Sequence, residues 1–448
     1  MPSETTPSAA LASFLTELQY AALPDRAVRL AERCFVDTVG VTLAGAQEGA
    51  GAAAHALARA DGSGPATLLG REGTAPRSAA LLANGTAGHG LDFDDVSWGM
   101  DGHPSVTLVA PALAVGETVD ATGRELLTAF VAGFETECHL ASAISPGHYE
   151  RGWHATSTFG VFGAAAVAAR LLGATEPETR HALNTAASFA AGLKRNFGSM
   201  TKPLHVGGAV RAGVTAATLA AEGFTADATT IGGDRGFWDL YAGSDGVGDP
   251  APLPPDRWAL LEDGVHVKKY PSCYFTHTSI ANAVDLAATH DLAPGDIERV
   301  HVRASQGALD ALAHDDPTTG LEAKFSLSYT VAAGLVRGEA GLAAFEDDAW
   351  TDPAVDAVRK RVTYEADPDL HYDAHESHMR IETAGAVHER TRTDPPGTHE
   401  DPLDRAELRE KYETCARRAL PEPAVERTWA ALDDLRSVGS TATLLDEF

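Results

Sequence analysis

Apolar residues recur at helical spacing through most of the chain up to about Gly223. Pro24-Asp25 opens one such segment, carrying Val28, Cys34, Phe35 and Val39. A second runs from about Pro104 through Val106, Val109 and Leu113, and Pro111 inside it predicts a kink. Gly123-Arg124-Glu125 starts a third, with Leu126, Phe130, Phe134 and Leu140 on its apolar positions. Further helices are predicted near 156–172, 177–191 and 208–222, rich in Ala and Gly, which permits close packing of backbones. From about residue 265 the period changes. Ile297–Arg303 largely alternates apolar and polar residues and predicts a strand. Val362–Tyr364, Met379–Ile381 and Ala386–His388 predict three more, the last two joined across a Thr383-Ala384-Gly385 turn. Helices fall between them at 277–289 and 326–336. The second region therefore reads as α+β with a small antiparallel sheet. Thr393–Pro402 is polar and Pro-rich and predicts a surface loop. Helical spacing returns over 407–418 and 423–438. We expect residues 1–265 and 403–448 to form one helical domain and residues 266–402 a second, smaller α+β domain.

Length and composition narrow the class. The chain has 448 residues, 44% of them hydrophobic, enough for two or three sizeable cores. Its 63 Asp+Glu against 35 Lys+Arg give a net charge of −28, which argues against nucleic acid as the main partner. The four cysteines, Cys34, Cys138, Cys273 and Cys415, are widely spaced with no CxxC pair, which argues against a zinc site or disulfide framework. Met1–Ala10 lacks the features of a signal peptide, and no apolar run reaches transmembrane length. A cytoplasmic protein is the expectation.

Against that acidic background, Lys194–Gly207 holds Lys194, Arg195, Lys202 and His205 without a carboxylate. Cations beside a helix start suit a small carboxylate or phosphate. His103, His154, the Lys202–His205 pair and His277 each fall just before a predicted helix, where free N–H groups and the helix dipole favour an anion. Asp92, Asp94 and Asp95 crowd one short run and need balancing cations. One of them could orient a histidine or act as a base. The competing readings are ordinary: helix capping for the histidines and aspartates, and a surface pair for Lys194 and Arg195. His375-Glu376-Ser377-His378 lacks the spacing for two zinc ligands on one helix face. The dinucleotide, P-loop and nucleophile-elbow motifs are missing, so neither a metal nor an organic cofactor is expected.

Six stretches in order resemble the MmgE/PrpD family: Asn84–Asp95, Gly102–Ser105, Arg151–Thr156, Phe197–His205, Lys269–Cys273 with His277 beyond, and Ala323–Leu327. The resemblance implies a large all-helical domain with a smaller α+β lid domain, a homodimer, and no cofactor. It implies proton transfer next to a carboxylate on a di- or tricarboxylic acid of the aconitate, methylcitrate or iminodisuccinate type. Dehydration, decarboxylation or epimerisation could follow on the same frame. By motif position it implies Asp92, His103, His154, Lys202 and His277 as catalytic residues. Lys202, His205, Lys269 and Tyr329 are implied as substrate contacts. Where the family reads Asp-Asp-Thr, this chain reads Asp94-Asp95-Val96 with Ser97 next, so a hydroxyl contact is lost or shifted by one residue. The competing function is a non-catalytic polycarboxylate-binding dimer.

Overall fold

The computed structural model describes residues 6–346 and 348–448; the first five residues of the polar N-terminal stretch lie outside them. The chain is mainly α and divides into two compact units. One comprises Met1–Val267 and Asp404–Phe448, the other Lys268–Leu403. Among the described residues no helix is long and apolar enough to cross a membrane.

The first unit packs the helices Asp25–Gly45, Arg77–Gly90, Pro104–Val119, Gly123–Ser142, Ala155–Leu171 and Thr201–Ala221, and the C-terminal Arg405–Ala416 rejoins them. Small residues set the distances between these helices. A Cβ on Gly207 would stand 2.3 Å from the Leu82 carbonyl oxygen, and one on Gly85 would stand 3.0 Å from Gly207 Cα. This seam binds Thr201–Ala221 to Arg77–Gly90, with the start of the first beside the end of the second. The Gly207-Gly208 pair, read from sequence as a helix start, is thus interior to its helix. The helix begins at Thr201, because Pro203 sits in a first turn whose N–H groups need no intrahelical partner. Pro104–Val119 continues through Pro111 as one helix.

The second unit carries a four-stranded sheet in the order Val362–Ala366, Ile297–Ala304, Ser377–Thr383, Val387–Arg392. It is mixed and not purely antiparallel: Val362–Ala366 runs parallel to Ile297–Ala304. The intervening chain, which includes the Leu327–Arg337 and Pro353–Arg359 helices, is long enough for the crossover a parallel pair requires. Ile280, Val300, Val302, Val331 and Ile381 meet in the core between sheet and helices. The 393–402 stretch is a loop, but Pro395, Gly397 and Thr398 in it are buried.

Candidate active site

In the first unit, the candidate site begins where Arg77–Gly90 ends. Leu91 caps that helix, and Asp92 takes a left-handed backbone with φ 54°, which an aspartate tolerates better than most residues. The turn sends Asp92 towards the N-terminal turn of Thr201–Ala221, where its Oδ1 accepts a 2.7 Å hydrogen bond from Lys202 Nζ. The glycine seam makes that meeting possible. On the other side of the turn, Lys411 Nζ donates to the Phe93 carbonyl at 2.8 Å and pairs with Asp37 at 2.5 Å. A residue of the C-terminal helix thereby fixes the loop that bears the aspartates.

Two helix starts supply the histidines. His103 is the N-cap of Pro104–Val119 and His154 that of Ala155–Leu171, yet neither uses its ring to cap. Asp95 takes over for His103: its Oδ1 accepts from the Ser105 backbone N–H at 3.2 Å, and its Oδ2 from the Ser105 hydroxyl. The His103 backbone N–H donates to Thr156 Oγ1 at 3.1 Å. A Cβ on Gly102 would lie 2.8 Å from Thr156 N, so only glycine lets the two starts approach this closely. The His154 N–H is held at 3.0 Å by the Gly192 carbonyl.

Asp94 Oδ2 accepts from His89 Nδ1 at 2.7 Å. His103 Nδ1 stands 3.2 Å from the same oxygen, without the alignment of a full hydrogen bond. The His89 ring meets His103 edge-on at 4.6 Å between centroids and stacks with His154 at 5.5 Å. His154 Nδ1 is 3.0 Å from His205 Nδ1, so one of these rings donates from Nδ1 and the other accepts there. Burial alone would raise the Asp94 carboxyl, but the His103 and His89 imidazoles outweigh it and hold Asp94 well below the usual carboxylate range. Burial pushes His89 down to about 4, against the opposing pull of Asp94. Burial likewise pushes His154 well down, assisted by His89 and Lys202, and lowers His205. Deeper still, burial lifts Asp95 to about 7, with Asp37 and Asp94 adding to the effect. Glu137 is raised in the same way and accepts a 2.6 Å bond from the Thr107 hydroxyl.

Asp92, His103, His154, Lys202 and His205 thus come together, as a chain of contacts running through His89 and Asp94. Lys194 does not join them: its ammonium donates to the Tyr149 carbonyl and lies 3.4 Å over the Tyr149 ring centroid. Arg195 is exposed. Ser97 does not replace the family's threonine. It is buried, and its hydroxyl donates to the Gly264 carbonyl at 2.7 Å. Val96 exchanges two backbone hydrogen bonds with His266, and Ser97 exchanges two with Gly102, so the 97–102 loop is pinned at both ends.

The second unit holds the remaining expected residues. His277 is the first residue of His277–His290 and is buried beside Tyr274 and Tyr270, at 4.8 and 5.3 Å between ring centroids. Tyr329, expected as a substrate contact, lies in the core of this unit. It is fully buried, its hydroxyl donates to the Ala344 carbonyl, and its ring packs edge-on to Phe345, so it is a core residue. The tyrosines beside His277 are Tyr270 and Tyr274. Lys269 is exposed, whereas its neighbour Lys268 is buried with its ammonium 3.2 Å from the Ser272 carbonyl.

Sequence reasoning did not single out His89, and it left open which of Asp92, Asp94 and Asp95 orients a histidine, with Asp92 implied by motif position as orienting His103 or serving as its partner base. In the structure Asp94 approaches the His103 ring and Asp92 holds Lys202. Alternation along the run could not have separated them, because the left-handed backbone at Asp92 breaks any extended period. His89, Asp94 and His103 also bring three ligand atoms within 4.8 Å of one another, close enough for one metal ion. An ion there would compete with the imidazole protons for the same Asp94 oxygen.

A two-unit fold with this run of aspartates, histidines and lysine defines a family. The MmgE/PrpD N-terminal domain matches residues 9–248 and the MmgE/PrpD C-terminal domain residues 270–436. The chain belongs to the MmgE/PrpD family and is an enzyme of that type. It is 28% identical to the cis-aconitate decarboxylase of Homo sapiens over 445 residues, covering 94% of this chain and 91% of the relative. It is 28% identical to the mouse (Mus musculus) cis-aconitate decarboxylase over 82% of this chain and 78% of the relative. The 2-methylcitrate dehydratase of Cupriavidus necator is 25% identical over 65% of this chain and 63% of its own length.

Proposed function

We propose that the protein is a cofactor-independent decarboxylase of an unsaturated tricarboxylic acid of the cis-aconitate type. The observation that carries this reading is the Lys202–Asp92 pair, buried beside His154, His205, His89 and His103. Few arrangements other than a polycarboxylate site give such a concentration of donors a use. The decarboxylase relatives also span more of the chain than the dehydratase does.

In this reading Lys202 binds one substrate carboxylate in competition with Asp92, and the neutral His154–His205 pair donates to another. When the carboxylate leaves as carbon dioxide, its bonding electrons pass to the adjacent carbon and spread into the neighbouring double bond and carboxylate. Fixed positive charge and donors beside that charge lower the barrier most. His103, protonated from solvent, then delivers a proton to carbon and takes another from solvent before the next turnover. His277 and Lys269 are proposed as further substrate contacts on motif resemblance alone. A homodimer is proposed on the same basis.

The test is an NMR-followed panel of cis-aconitate, citrate, 2-methylcitrate and iminodisuccinate with chelator-treated protein. Release of carbon dioxide from cis-aconitate is expected, and its rate should fall at least ~10²-fold in Lys202→Ala. Dehydration of 2-methylcitrate, epimerisation of iminodisuccinate or binding without turnover would each replace the reading.

A further inference from the structure

We propose that Asp94, braced by His89, is the positioning residue that fixes the working tautomer of His103, and that Asp92 serves Lys202 instead. This rests on the reading that His103 carries the substrate's proton. Asp94 is fully buried and ionised, so it can only accept. Its Oδ2 faces Nδ1 of two imidazoles, at 2.7 Å for His89 and 3.2 Å for His103. His89 therefore presents N–H at Nδ1, and the same carboxylate oxygen facing His103 Nδ1 favours N–H there too, which leaves Nε2 of His103 as the atom that takes a proton from solvent and delivers it to the substrate.

His89 contributes by being neutral. Its Nε2 has no hydrogen-bond partner among the described residues, and burial keeps the ring uncharged at neutral pH. It thus steadies the Asp94 carboxylate without cancelling its charge, and that charge stays available to stabilise an imidazolium at His103. Asp92 is otherwise engaged, with Oδ1 on the Lys202 ammonium at 2.7 Å. The Asp94 neighbourhood is closed on its far side by Asp95, Asp37 and Lys411, from the adjoining loop and two other helices.

The experiment uses full-length protein with 15N-histidine, reading ring tautomers by long-range 1H–15N correlation alongside kcat and KM on cis-aconitate. In the wild type, His89 and His103 should both be Nδ1–H tautomers. In Asp94→Asn the amide can donate to His103, which should flip to Nε2–H, with kcat falling ~10³-fold or more and KM moving less than about threefold. Asp92→Asn should leave the His103 tautomer unchanged. His89→Asn, as a second variant should Asp94→Asn fail to fold, should lower kcat by about tenfold or more and broaden or shift the His103 signals. A wild-type His103 in the Nε2–H form, a metal-bound Nδ1, or an Asp94→Asn protein with wild-type tautomer and kcat would overturn the proposal. If no panel substrate turns over in wild type, the proposed function fails, and the tautomer readout alone then decides the role of Asp94.

Discussion

Asp94 and Asp95 share a peptide bond but meet opposite surroundings. Asp94 faces His89 and His103, which hold its carboxyl well below the usual range. Asp95 faces Ser105 and the acid of Asp37, and burial lifts it to about 7. One neighbour is a permanent anion that organises imidazoles; the other carries a proton up to about neutral pH and caps a helix. The difference shows how three aspartates can crowd one run without mutual repulsion. Each carboxylate is answered separately, by a cation, by imidazole protons, or by keeping its own proton.

The comparison can be broken in stages. The largest expected effect is that of Asp94→Asn on kcat, ~10³-fold or more, given above with its tautomer readout. Next comes the clamp between the two faces of the run. Lys411→Met leaves Asp37 buried without its cation and frees the Phe93 carbonyl, so unfolding free energy should fall by ~3–5 kcal/mol in a denaturant titration.

Asp95→Asn tests the opposite fate of the second acid. The native carboxyl keeps a proton that the unfolded chain releases above its model value of 3.8. Its stabilising contribution is therefore full at low pH, declines as pH rises towards about 7, and is gone above that. The variant has no such loss, so its melting temperature should gain on wild type between pH 4.5 and 7.5, by the equivalent of ~4 kcal/mol at most. His89 and His148, both pushed down to about 4, give wild type and variant the same opposing slope, so they cancel in the difference. A constant gap across that range would remove the contrast. The smallest effect is expected at the pinned loop. Ser97→Ala should cost ~1–2 kcal/mol, because the Gly264 carbonyl loses its donor, and should change kcat/KM less than about threefold.

The mainly α character and the smaller α+β region were legible because each element repeats its own period. Leu126, Phe130 and Phe134 mark a helix, and Ile297, Val300 and Val302 a strand. Pairing direction was not legible. Alternation tells which face of Val362–Ala366 is buried, not which neighbour it joins, and the parallel partner follows from the crossover chain. The start of Thr201–Ala221 was hidden because Gly207 and Gly208 look like a boundary while Gly207 serves a seam with Leu82. At the site, residue type pointed to Lys202, His103, His154 and Asp92. It did not show that the carboxylate beside His103 is Asp94, since that depends on which way a left-handed turn at Asp92 throws the next residues. The place of Tyr329 was hidden for a related reason: a tyrosine with its hydroxyl spent on Ala344 looks the same in sequence as one lining a pocket.

The clamp from Lys411 to Phe93 joins residues 318 positions apart. Synthesis proceeds from the N-terminus, so nearly the whole chain exists before the aspartate loop receives its fastener. Until then Asp37 lacks its ion-pair partner, and the loop lacks its anchor. A nascent or C-terminally shortened polypeptide thus carries every residue proposed for chemistry and still lacks the means to hold them in place. Assembly of the reactive centre therefore waits on synthesis through Lys411.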